Sequence, residues 1–124
     1  MRFTLIVLAG SMMLVGSSVH AHHGYTAFDI DRLVSVEGNV EEVLFQNPHS
    51  ILKVRTKDGE LYTVEWQAAT SLKRSGITMF TVKAGDHIIA TGNPMKDPAA
   101  RIIARTQTVS RPSDGWVWPI QSRK

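Results

Sequence analysis

The strongest constraint on the fold is a series of short segments in which apolar and polar residues alternate. In the first segment the apolar positions are Val34, Val36 and Val40, followed with the opposite parity by Val43 and Phe45. Neighbouring side chains of a strand point to opposite faces, so strict alternation is typical of a half-buried strand. The change of parity near Glu41-Glu42, just after Gly38, therefore predicts a β-bulge or sharp bend in a long first strand.

Four more strands and one short helix are predicted further along the chain. The strands cover 51–56, 60–67, 87–92 and 101–110, and the helix covers 68–75 with Gly76 as its C′ residue. Lys57-Asp58-Gly59 predicts a hairpin turn, and residues 93–99, with two prolines, predict a loop. Leu52 and Val54 are expected to point inward in the second strand. Tyr62, Val64 and Trp66 are expected to share one face of the third.

The order strand, strand, strand, helix, strand, strand predicts an all-β domain with one short helix. It favours a small five-stranded OB-like Greek-key barrel, in which closure removes exposed sheet edges. An open meander and an SH3-like barrel are the alternatives with five strands. The chain contains no cysteine, so no disulfide can stabilise the domain and its sheet core must do so.

Residues 1–21 are predicted to be a cleaved signal peptide. A short positive start precedes an apolar run, and small residues before Ala21 suit a signal peptidase. Cleavage after Ser18 also satisfies the small-residue rule. The alternative is an uncleaved anchor, but the run is shorter than the roughly 20 residues that span a bilayer. The remaining chain divides into an N-terminal arm (22–32), the barrel (33–110) and a C-terminal tail (111–124).

The predicted leader favours an exported protein, which would be periplasmic or secreted and would have no membrane anchor after cleavage. One of the 14 basic residues lies in the leader, which leaves 13 against 11 acidic residues and a net charge near +2. Such a small surplus gives no electrostatic reason to expect nucleic acid as a partner.

No catalytic motif stands out, so the sequence gives no positive indication of an enzyme.

The candidate metal ligands are His22, His23 and His49. Cleavage after Ala21 would give His22 a free amine beside two imidazoles, and nitrogen donors at these spacings suit copper or zinc. His49 follows a turn signal and could supply a third ligand, and Glu65 could complete a set with a carboxylate. The alternatives are a solvated terminus, a His49 that hydrogen-bonds the turn backbone, and a Glu65 paired with a basic residue.

Two tryptophans in the C-terminal tail, Trp116 and Trp118, are candidate partner-binding residues. With the barrel face they could engage a peptide, a glycan or a partner protein as a metal-free interaction module. The other interpretation is that they form a hydrophobic latch over the barrel. Tyr25 and Phe28 are expected to pack the N-terminal arm onto the barrel, and His87 is expected at the surface.

Seven short motifs occur together in this chain: His22-His23-Gly24, Phe28-Asp29, Val36-Glu37-Gly38, Asn47-Pro48-His49, Glu65-Trp66, and the segments 72–77 and 83–86. Their combination resembles one family of exported bacterial proteins, the domain of unknown function 6152. The resemblance implies a periplasmic single-domain protein with a barrel-like fold, and it implies no activity. The family pattern places a His-His pair after the signal peptide and an Asn-Pro-His before the second strand. Gly24 and Ala84 depart from that pattern without touching a candidate ligand.

Overall fold

The computed structural model describes residues 25–119, which form six strands and one α-helix. In chain order the elements are β1 (Val34–Leu44), β2 (Ile51–Arg55), β3 (Leu61–Glu65), α1 (Ala69–Arg74), β4 (His87–Pro94), β5 (Ile102–Arg111) and β6 (Trp116–Trp118). Single 3-10 turns lie at Tyr25–Ala27 and Pro98–Ala100. The candidate ligands His22 and His23, and the predicted signal peptide, lie outside the described residues.

The strands form one sheet in the order β3-β2-β1-β4-β5-β6, and a further pairing between β3 and β5 closes it. The pairings β1–β2, β2–β3, β1–β4 and β4–β5 are antiparallel, whereas β3–β5 is parallel. This is a closed five-stranded barrel with an extra strand, so the predicted small barrel with one short helix is confirmed. The helix α1 connects β3 to β4, as the sequence predicts.

The bend in β1 is confirmed. The register of β1 against β2 shifts between Val40 and Glu42. Before the bend, Gly38 lies so close to the end of β2 that a Cβ atom there would overlap the carbonyl of Arg55. The lack of a side chain at Gly38 therefore lets the two strands approach closely where β1 begins to turn around the barrel.

The core fills the barrel interior with residues from every strand and from α1. Its buried members are Val36, Val40, Leu52, Val54, Val64, Trp66, Leu72, Ile77, Val82, Ile88, Ala90, Ile103, Val109 and Trp118. Leu52 and Val54 point inward as predicted, and Val64 and Trp66 are buried on one face with Tyr62 half-buried beside them. The alternation read from the sequence thus identifies the inward faces of β2 and β3 correctly.

Two segments differ from the sequence prediction. Asn93 and Pro94, expected in a loop, continue β4, because Asn93 and Pro94 pair with Ala104 and Ile103 of β5. The expected C-terminal tail instead contains β6, which pairs antiparallel with the end of β5. Three residues are too few to show a clear alternation, so only the tertiary packing reveals this strand.

Burial of Trp118 explains why the chain continues in the sheet after β5. Trp118 is 5% exposed, and its ring meets that of Trp66 edge to face with centroids 5.3 Å apart. This arrangement is favourable because the positive edge of one aromatic ring faces the negative face of the other. Trp118 therefore occupies the latch position, inside the core.

Arg111, at the end of β5, joins the turn before β6 to the segment before β4. Its guanidinium donates to the Thr81 carbonyl at 2.7 Å, to Asp86 at 2.8 Å and to Asp114 at 2.9 Å. The hydrogen bonds from Arg111 lower the pKa of Asp114, and those to Asp114 and Asp86 raise the pKa of Arg111. Arg111 also lies over the ring of Trp116, 5.4 Å from its centroid.

Truncating Trp118 should destabilise the domain strongly. We expect Trp118→Ala to lower the free energy of unfolding by about 3–5 kcal/mol, the usual cost of removing a large buried aromatic side chain. Val117→Ser, on the same strand but with its side chain exposed, should change it little. Urea unfolding of both variants measures this, and equal stabilities would show that β6 does not contribute to the core.

Removing the Arg111 guanidinium should raise the pKa of Asp114 toward the ordinary aspartate value. The carboxylate stabilises the fold above the ordinary pKa, and this contribution is lost as the pH falls through the lowered folded-state pKa. NMR titration of the Asp114 carboxyl carbon in wild type and Arg111→Met checks this. Arg55→Met, which removes the partner of Glu41, is the control and should leave Asp114 unchanged. An identical Asp114 titration in Arg111→Met would contradict the assignment.

Candidate functional site

A cavity of about 630 Å³ lies where β3 ends, α1 begins and β5 bulges. The residues of its lining that bear on function are Phe28, His49, Glu65, Ser71, Arg105 and Thr106. They come from the N-terminal arm, the β1–β2 loop, β3, α1 and β5. The cavity therefore brings together parts of the chain that are far apart in the sequence.

The loop that carries His49 is held against the end of β3. The Trp66 amide donates to the Ser50 carbonyl at 2.8 Å, and the Ser50 amide donates to the Gln67 carbonyl at 3.0 Å. The Ser50 side chain is fully buried and its hydroxyl donates to the Gln46 carbonyl. These bonds fix the backbone on both sides of the exposed His49 and place it at the cavity.

The same loop caps α1. The helix begins after Ala68, whose side chain makes no cap hydrogen bond. Instead, the Asn47 side-chain oxygen accepts from the Thr70 amide at 3.2 Å, and the Gln46 carbonyl accepts from the Ala69 amide at 2.9 Å. A side-chain oxygen on a first-turn amide satisfies a donor that the helix itself leaves unpaired. The cap thus ties the loop before His49 to the helix that supplies Ser71.

The N-terminal arm reaches this cavity through Phe28, which is buried as expected. Phe28 forms a β-bridge with Met95, and the amide of Asp29 donates to the Pro94 carbonyl at 2.9 Å. The side chain of the buried Asn93 donates to the Arg32 carbonyl at 2.6 Å. Residues 28–32 of the arm are therefore fixed to the end of β4, with Phe28 at the cavity.

A bulge in β5 contributes to the wall of the same cavity. The register against β4 shifts between Thr91 and Asn93, and Arg105 takes a left-handed conformation with φ of 49°. Such a backbone is strained for a residue with a side chain and is found preferentially at functional sites. Gly92 permits the bulge, because a Cβ atom there would lie 2.6 Å from the Ala104 carbonyl oxygen. The Thr106 hydroxyl then donates to the Glu65 carbonyl at 2.6 Å.

Of the candidate metal ligands, the structure places His49 at this cavity, together with Glu65. Residues 25–119 hold no group of three or more histidine, cysteine or carboxylate residues that could bind a metal by themselves. The candidate partner-binding residues, Trp116 and Trp118, do not line this cavity. Trp118 lies in the core and Trp116 packs beside Arg111.

The bulge residues Arg105 and Thr106 and the helix residue Ser71 are part of the cavity that the sequence analysis missed. The available signal was Gly92, a glycine at the end of an otherwise regular strand pattern. Such a glycine indicates a bulge or the close approach of another backbone. The pattern gives no indication of which segment would approach it.

A second cleft of about 640 Å³ lies between the β2–β3 turn and the β4–β5 loop. Both signs of charge surround it, with Lys57 and Arg101 near Asp58 and Glu60. His87 also borders it, exposed as expected, and its ring nitrogens contact Asn39 at 2.8 Å and Glu37 at 3.1 Å. Arg101 also pairs with Glu60 at 3.1 Å across this cleft.

The fold and the cavity define a small β-barrel domain with a fixed N-terminal arm and a concave site at one end of β3. The chain belongs to the family of unknown function DUF6152, whose sequence model matches residues 11–103. The match extends from before the arm to the beginning of β5. Comparison with curated proteins and with solved structures finds no match. No helix within residues 25–119 is long and apolar enough to cross a membrane.

A side chain at Gly92 should disturb the cavity wall. We expect Gly92→Ala to lower the free energy of unfolding by about 1–3 kcal/mol, because the β5 bulge would have to move away from the new methyl group. Gln107→Ala, at an exposed position of the same bulge, should change it little. Urea unfolding of both variants provides the measurement. A Gly92→Ala protein as stable as wild type would contradict the close approach.

Proposed function

We propose that this protein is an exported small binding domain that binds one copper ion at the cavity beside β3. The donors are the N-terminal amine and rings of His22 and His23, completed by His49, with Glu65 as the available carboxylate. The observation that supports this proposal is that His49, Glu65 and Phe28 of the N-terminal arm line one cavity. Residues from three separate segments of the chain therefore line the same cavity.

The arm is long enough to bring the histidine pair to His49. Phe28, which is buried at the cavity, lies five positions after His23 in the sequence. A chain covers at most about 3.3–3.6 Å per residue, so His23 lies within about 18 Å of Phe28. The arm can therefore fold back over a cavity whose own wall includes Phe28.

The donor chemistry favours copper over zinc. A terminal amine and the Nδ1 atom of the same histidine can chelate one ion, and imidazole donors suit copper. Affinity for divalent ions at nitrogen sites generally rises to a maximum at Cu²⁺. The amine binds only when deprotonated, and its ordinary pKa is about 8, so copper affinity should fall as the pH is lowered.

The proposal depends on export and on the position of the cut. Only cleavage after Ala21 gives His22 the free amine. The leader 1–21, with its apolar run and small residues before the cut, supports this processing and a periplasmic location. Intact mass of protein recovered from the periplasm measures the cut directly. A mass that retains Met1 would remove the terminal site.

Titration of correctly processed protein with Cu²⁺ tests the site. We expect about one ion per chain, with nitrogen ligands in the electron paramagnetic resonance spectrum and tighter binding than for Zn²⁺. The double variant His22→Ala, His23→Ala should weaken binding at least about tenfold, and His49→Ala should change the spectrum. Extension by one residue before His22 should weaken binding and change the spectrum, because the amine would no longer chelate with that ring.

The matched control is His87→Ala. His87 is another exposed histidine, but it borders the other cleft and contacts Glu37 and Asn39. Its loss should leave copper affinity and spectrum unchanged. Copper that binds equally well to the His22→Ala, His23→Ala protein would refute the site.

The second candidate function is a metal-free interaction module that engages a peptide, a glycan or a partner protein. The cleft beside the β2–β3 turn favours it, because Tyr62 and Ile102 provide apolar surface between charged groups of both signs. A variant such as Tyr62→Ala would then lose the partner while copper binding stayed at the wild-type level. This outcome separates the two functions.

A further inference from the structure

Two large apolar side chains lie exposed in the segment between α1 and β4. Met79 is 58% exposed and Phe80 is 71% exposed, the highest values among the large apolar residues of the described chain. They are adjacent in sequence and lie in a turn. Exposed apolar residues that lie side by side indicate an interaction surface more strongly than single ones do.

Hydrogen bonds hold this turn in one shape. The Thr78 amide donates to the Thr81 hydroxyl at 2.9 Å, the Phe80 amide donates to the Thr78 hydroxyl at 3.2 Å, and the Thr81 amide donates to the Thr78 carbonyl at 3.1 Å. The turn is also tied to the barrel, because Arg111 donates to the Thr81 carbonyl at 2.7 Å. Met79 and Phe80 are therefore presented by a fixed backbone that need not become ordered when a partner binds.

The segment that carries the turn is positively charged. Residues 66–85 contain Lys73, Arg74 and Lys83 and no aspartate or glutamate, and all three basic residues are exposed. Over residues 25–119 the chain carries 11 basic and 11 acidic residues, so the surplus of three positive charges in this segment is balanced by acidic residues elsewhere. Asp86, which follows the segment directly, pairs with Arg111 at 2.8 Å. The segment is thus locally positive, although residues 25–119 together carry no net charge.

We propose that the Met79-Phe80 turn docks this domain on the surface of an anionic phospholipid bilayer. The turn inserts Phe80 and Met79 at the boundary between headgroups and acyl chains, and the flanking basic residues contact lipid phosphates. Apolar side chains flanked by lysine and arginine are the combination that binds an anionic bilayer surface. A bilayer suits a protruding pair because acyl chains adapt to its shape, and the negative headgroups complement the positive segment. This proposal is independent of copper binding.

Co-sedimentation of the chain that begins at His22 with phospholipid vesicles tests the proposal. We expect binding to vesicles that contain phosphatidylglycerol, much weaker binding to phosphatidylcholine alone, and loss of binding as salt is raised. The double variant Met79→Ser, Phe80→Ser should lower the partition coefficient at least about tenfold. Arg74→Gln, Lys83→Gln should lower binding to phosphatidylglycerol vesicles several-fold without affecting the phosphatidylcholine baseline.

The matched control is Ile30→Ser, Leu33→Ser. Ile30 and Leu33 are each 54% exposed, but they lie next to Asp29, Asp31 and Arg32. This control should bind vesicles as wild type does, and thermal melts check that all three double variants fold. The proposal is refuted by any of three results: no binding to phosphatidylglycerol vesicles, equal binding to phosphatidylcholine vesicles, or equal loss in the control. If Met79→Ser, Phe80→Ser instead converts a dimer to a monomer without changing vesicle binding, the turn contacts a second copy and the proposal is wrong.

Discussion

Close backbone approaches at two glycines are the constraint on which the barrel depends. Gly38 lets the end of β2 lie against β1, and Gly92 lets the bulge of β5 lie against β4. With both approaches in place, β3 and β5 can pair in parallel and close the sheet. Closure pairs the strand edges that an open sheet would leave exposed. It also encloses the hydrophobic core, which must stabilise the domain without disulfides. A methyl group at either glycine would meet backbone atoms, which have little freedom to move.

The same closure creates the cavity. The β5 bulge forms one wall, the loop before β2 forms another, and Phe28 brings in the N-terminal arm. The loop is rigid because its hydrogen bonds serve two neighbours: it caps α1 through Asn47 and continues the contacts of β3 through Ser50. His49 is thus an exposed side chain on a fixed backbone, which is the property that a ligand position requires. The copper proposal depends on this convergence of segments.

Arg111 connects the stability of the fold to the surface that we assign to the membrane. One guanidinium fixes the Thr81 carbonyl behind the exposed turn, pairs with Asp86 before β4, and pairs with Asp114 in the turn that leads to β6. Arg111 therefore contacts both the Met79-Phe80 turn and the turn that leads to β6. The cavity, in contrast, is held by the arm, the loop before β2 and the β5 bulge, so the two proposed activities have separate structural supports.

The sequence by itself determined the inward faces of the strands, the bend in β1, the position of α1 and the barrel class. Each of these follows from local alternation and turn residues, as with Leu52, Val54 and the glycine after α1. Only the tertiary structure decided that Trp118 enters the core, that β6 exists, and that Arg105 and Thr106 line the same cavity as His49. Those outcomes depend on contacts between segments distant in sequence. Local periodicity does not indicate which distant segment of backbone will lie close to a glycine such as Gly92.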